Sequence, residues 1–116
     1  MKPNVTSERR REERVDARLQ IELQLDPSES RQASNTINIS SNGVYFLSPR
    51  HIAPLTKLGM RLYLPDEDPV ECQGVVVRCL PETASPSTQE YEVACYFLDL
   101  DGDFRALLRH YVQSHL

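Results

Sequence analysis

At 116 residues, with 40% apolar and 26% charged side chains, the chain suits a single soluble domain and is too short for two independent cores. The net charge of −4 is lopsided: residues 1–18 hold six basic and four acidic side chains, and the remainder sums to −6. A basic arm on an acidic body argues against a general nucleic-acid-binding face and favours capture of a small anion at one place.

Residues 1–13 have almost no apolar content and are expected to form a mobile, arginine-rich arm, with the folded domain spanning 14–116. From Val15 the pattern changes. Val15, Ala17, Leu19, Ile21, Leu23 and Leu25 alternate with Asp16, Arg18, Gln20, Glu22 and Gln24, which predicts a half-buried strand over 15–25. The Asp26-Pro27-Ser28-Glu29-Ser30 stretch is a turn signal. A second strand is expected over about 33–39, then a hairpin at Ser41-Asn42-Gly43, where Asn and Gly both tolerate positive φ, then a strand over 44–47. Strands near 58–64 and 70–80 flank a turn rich in Pro and acidic residues, and 91–98 completes a set of six.

Six strands joined by short turns point to an antiparallel barrel or sandwich. The period then switches: Phe104, Leu107, Leu108, Tyr111 and Val112 form the stripe of an amphipathic helix over about 101–115. Asp101 or Asp103 is placed to cap it, and its apolar face is expected to cover an open end or edge of the barrel.

The odd set of three cysteines, Cys72, Cys79 and Cys95, reads as small apolar residues in strands, as in a reducing cytosol. No signal peptide or bilayer-length apolar run is visible, so a cytoplasmic protein without membrane insertion is expected. Enzymatic patterns are lacking: there is no Gly-x-Ser-x-Gly, Cys-x-x-Cys or His-Glu-x-x-His. His51 stands alone, and His110 and His115 are five apart, the wrong spacing to share a helix face as metal ligands. The acidic run at 99–103 resembles a calcium loop, but its glycine is misplaced and position twelve would be His110, so helix capping explains it better.

Two features carry ligand chemistry. Arg9, Arg10, Arg11 and Arg14 precede the first strand, and guanidinium groups grip phosphates bidentately, bind the O6 and N7 of guanine and stack on bases. Taken alone, such a run reads as a solvated tail. The second is Asn38-Ile39-Ser40-Ser41-Asn42-Gly43. There an amide and a hydroxyl two apart on a strand end share a face, and Gly43 permits a tight turn and close ligand approach. Alone, it reads as an ordinary hairpin.

Together they resemble the PilZ family, whose pattern is Arg-x-x-x-Arg entering the first strand and (Asp/Asn)-x-Ser-x-x-Gly at the second turn. Here these read Arg10-Arg11-Glu12-Glu13-Arg14 and Asn38-Ile39-Ser40-Ser41-Asn42-Gly43, with Tyr96-Phe97-Leu98-Asp99-Leu100 similar to the family's last strand before its helix. The resemblance spans about residues 8–112. It implies an all-β fold with a C-terminal helix, a six-stranded antiparallel PilZ-type barrel. It further implies a non-enzymatic bacterial receptor for cyclic di-GMP, without cofactor or metal. Arg10 and Arg14 would hold guanine and phosphate groups. Asn38, Ser40 and Gly43 would line the opposite wall, and Arg9 and Arg11 could add phosphate contacts. The arm would order over the ligand and signal to an unidentified downstream protein, as monomer or homodimer. The alternative is a PilZ-like protein-interaction adaptor that binds no nucleotide.

Overall fold

The computed structural model describes residues 13–81 and 90–116. The expected arm lies outside these residues apart from Glu13, and so do Arg9, Arg10 and Arg11. The described elements are β1 (Arg14–Asp16), β2 (Gln20–Gln24), β3 (Gln32–Ser40), β4 (Gly43–Ser48), β5 (Lys57–Leu62), β6 (Val70–Pro81), β7 (Tyr91–Leu98) and one helix, α1 (Gly102–Ser114). All strand pairs are antiparallel. The order β3-β2-β5-β6-β7-β4 closes on itself through β3–β4, giving a six-stranded barrel. The additional short strand β1 pairs with the far half of β3.

The expected first strand is therefore two. Its alternation survives intact: Val15, Ala17, Leu19, Ile21 and Leu23 are all buried in the core. What interrupts the ladder is the partner strand. β1 and β2 pair with β3 in registers that differ by one residue. At the break Thr36, itself buried, replaces a backbone partner. Its hydroxyl accepts from the Leu19 N–H at 2.8 Å and donates to the Ala17 carbonyl at 2.5 Å. A buried hydroxyl satisfied twice costs little, whereas two orphaned backbone groups would cost about 1–3 kcal/mol each.

Core side chains come from every strand and from the helix. Phe104, Leu108 and Val112 are buried on α1, while Leu107 and Tyr111 pack at its margin. Burying each large apolar side chain contributes roughly 1.5–3 kcal/mol. The Phe104 ring meets that of Phe97 edge-on, with centroids 6.2 Å apart. Asp101 is the N-cap, its carboxylate accepting from the Phe104 N–H at 2.8 Å, and Asp103 lies in the first turn, where the helix dipole favours negative charge. No described helix is long and apolar enough to cross a membrane.

Candidate functional site

Two bulges shape one outer face of the barrel. In β3 the register with β4 steps from Thr36↔Phe46 to Asn38↔Tyr45, leaving Ile37 as an extra residue. Were Ile37 paired regularly, Asn38 would share the inward face of Thr36; because Ile37 bulges, the inward position passes to Ile39 and Asn38 turns outward. In β6 the register with β7 steps from Val76↔Cys95 to Arg78↔Ala94, leaving Val77 extra. Here Gly74 and Val76 point inward before the bulge and Cys79 packs against the core after it, so Arg78 emerges on the surface. A bulge re-aims every side chain beyond it. These two aim an amide and a guanidinium at the same strip.

The strip runs across β1, β3, β4, β7 and β6. Tyr45 pairs with Asn38 on one side and Ala94 on the other, and Ala94 pairs with Arg78. From β1, the Arg14 guanidinium donates to Asn38 Oδ1 at 2.9 Å and lies 4.5 Å from the Tyr45 ring centroid. Arg78 approaches the same ring at 5.4 Å and donates to the Tyr45 hydroxyl at 2.7 Å. One phenol thus sits between two cations, held by the attraction of ring electrons for positive charge. Elsewhere on the barrel, Arg31, Arg50 and Arg61 face glutamates: Glu71, Glu29, and Glu22 with Glu71. Arg61 and Glu71 also form a close charge-assisted hydrogen bond that holds the Glu71 carboxyl below its usual range. Among the described residues Arg78 has no such acidic partner, so its charge remains available to an incoming anion.

The Asn38–Gly43 turn closes the strip. Ser40 is wholly buried, and its hydroxyl oxygen accepts from the Asn42 and Gly43 N–H groups, each at 3.1 Å. This is a side-chain-built turn, the hydroxyl fixing the bend that follows it. The expectation of positive φ at Asn42 and Gly43 is not met: among the described residues only Leu55, Asp66 and Asp99 lie in that region. Gly43 is required for a different reason. A Cβ there would stand 2.3 Å from the Cys95 carbonyl oxygen and 3.2 Å from the Tyr96 ring, because β4 and β7 run flush at this point.

Of the residues expected from sequence, Arg14, Asn38, Ser40 and Gly43 converge at the root of β1 and the turn. The fold sets Tyr45 and Arg78 beside Arg14 and Asn38, and the sequence reading singled out neither. Tyr45 had a signal, since it is the outward member of the alternating Val44-Tyr45-Phe46 run. The cysteines are free; burial pushes the Cys72 and Cys95 thiols up to about 12, which leaves them inert at neutral pH.

A profile of the PilZ domain matches residues 8–114. The chain belongs to the PilZ domain family. No curated protein matches the sequence. Among solved structures, the fold resembles Bacillus subtilis MotI/DgrA, an inhibitor of motility, with a TM-score of 0.75 at 20% identity, over 87% of this chain and 48% of that one. It resembles the PilZ domain of Escherichia coli YcgR solved with c-di-GMP, with a TM-score of 0.71 at 12% identity over 92% and 91%. It also resembles the K. pneumonia MrkH–c-di-GMP complex, with a TM-score of 0.73 at 16% identity over 90% and 51%. This PilZ chain spans about half the length of MotI/DgrA and MrkH.

Proposed function

We propose that this PilZ domain is a cyclic di-GMP receptor whose ligand lies on the strip around Arg14, Asn38 and Tyr45. The observation carrying the reading is the Arg14 guanidinium seated 2.9 Å from Asn38 and against the Tyr45 ring, which joins both halves of the sequence signature at one place. Cyclic di-GMP offers two phosphates and two guanines. Arg14 and Arg78 match its charge, Tyr45 supplies a flat face, and Asn38 offers an amide to a base edge or phosphate. Ser40 and Gly43 hold the turn that lines the far wall. Arg10, four residues before Arg14, delivers the second motif cation, with Arg9 and Arg11 beside it.

In this reading the arm closes over bound ligand, and the altered surface is read by a partner protein. Ordering the arm offsets part of the contact energy. Each bidentate Arg–guanine contact is worth roughly 1–3 kcal/mol, and micromolar affinity requires about −8 kcal/mol. Two arginines supply about 2–6 kcal/mol of this, and phosphate contacts with stacking on Tyr45 supply the remainder.

Calorimetric titration with cyclic di-GMP tests it. The parent binds, and Arg10→Ala and Arg14→Ala bind at least about fivefold more weakly, as loss of one such contact predicts. The thermal midpoint of Arg14→Ala barely changes, because that side chain is not part of the core. Equal affinity in both variants and the parent refutes the site.

A further inference from the structure

Beyond the turn the strip does not end. Tyr96 pairs with Gly43, and Ala94, two residues earlier on β7, pairs with Tyr45. Tyr96 and Tyr45 are therefore diagonal neighbours on one face, about 7–8 Å apart as such positions lie. The Tyr96 side chain is 47% exposed, unusual for a large ring in the middle of a sheet, and the absent Cβ of Gly43 gives it room. On its other side it lines a cleft of about 300 Å³ formed with Ser41, Asn42, Phe97, Leu100 and Arg105. The Asn42 carbonyl accepts from the Phe97 N–H at 2.9 Å, so the tip of the turn is pinned over the end of β7 and the cleft has a fixed wall. Arg105, exposed on the first turn of α1, has no side-chain hydrogen bond or ion pair among the described residues.

A ring, a guanidinium, a hydroxyl and an amide around a small cleft make a set that recognises a purine nucleotide. Bases stack on exposed aromatic rings, and guanidinium groups bind phosphate or the O6/N7 edge of guanine. The volume lies at the low end for ligand pockets, enough for one nucleotide and too small for a whole cyclic dinucleotide. We propose that Tyr96 and Arg105 form a second subsite that takes one guanylate half of the ligand, while Arg14, Asn38 and Tyr45 hold the other. The inference rests on the cyclic di-GMP reading. It gives α1 a direct part in binding, so that ligand bridges the motif turn and the helix.

The test is titration of the full chain with cyclic di-GMP in Tyr96→Ala, Tyr96→Phe and Arg105→Ala variants, followed by NMR of the backbone amides. Tyr96→Ala and Arg105→Ala should each weaken binding at least about fivefold, the lower end for loss of one stacking contact. Tyr96→Phe, which keeps the ring, should stay within about twofold of the parent and shows that ring stacking rather than folding is at issue. Ligand should shift the amide signals of Tyr96, Phe97 and Arg105. Parent-like affinity in both alanine variants, or stationary signals at these residues, overturns the subsite. If Arg14→Ala still loses binding in that case, the receptor reading stands without it. A parent chain that fails to bind at all removes both.

Discussion

Replacing Gly43 with Ala asks whether this glycine serves backbone conformation or close packing. Its φ is not positive, so the new residue meets no torsional objection. The difficulty is a methyl carbon 2.3 Å from the Cys95 carbonyl oxygen, roughly 1 Å inside a normal van der Waals separation. Backbone cannot swing aside as a long side chain does, so β4 and β7 must part locally. Overpacking of this kind costs about 1–3 kcal/mol, against a gain of about 0.4–1 kcal/mol from a stiffer unfolded chain. The net cost centres near about 1.3 kcal/mol, which lowers the midpoint of a domain this size by about 5–10 °C. Gly102→Ala provides the control. Nothing lies within 4 Å of its missing Cβ, and it occupies the first helical position. That variant should gain about 0.4–1 kcal/mol. Thermal and urea unfolding measure both. A Gly43→Ala midpoint equal to the parent would mean that the strands do not approach as described.

Thr36→Val keeps the shape of the side chain but strands the Leu19 N–H and the Ala17 carbonyl, and should cost about 2–6 kcal/mol in urea unfolding. Asp101→Ala removes the helix cap and should cost about 1 kcal/mol, whereas Asp101→Asn should cost much less. Burial raises the Cys72 and Cys95 thiols from 9.0 to about 12, so the unfolded chain loses those protons first as pH rises. Stability is then full below about pH 9 and falls by about 1.4 kcal/mol per pH unit for each thiol between about pH 9 and 12. The Cys72→Ala and Cys95→Ala variants should each flatten that alkaline decline, as read by unfolding at several pH values.

The barrel was readable because burial imposes a period of two on each strand, and the helix because its core stripe has a period near four. The chain from Val15 to Leu23 shows this well: its alternation holds even where the ladder breaks. The bulges were not readable. Whether Ile37 or Val77 counts in the pairing depends on β4 and β7, which sequence patterns within β3 and β6 do not contain. Counting forward from Val76 places Arg78 inside the barrel, so its place beside Tyr45 could not be found that way. The turn at Asn42-Gly43 misled for a related reason: the dipeptide suits positive φ, but a buried Ser40 hydroxyl and a neighbouring strand fixed another shape.

The extra residues at 37 and 77 act like frameshifts in the reading of a strand. Removing either would leave a regular ladder, with Thr36↔Phe46 followed directly by Asn38↔Tyr45 and Val76↔Cys95 by Arg78↔Ala94, whereas a residue gained or lost elsewhere in the strand would exchange inside for outside beyond it. Length changes should therefore be accepted more readily in the exposed Asp26–Ser30 bend than inside the paired runs of β3 and β6. In a barrel built this way, strand arithmetic guards the charged face as firmly as the identity of its residues does.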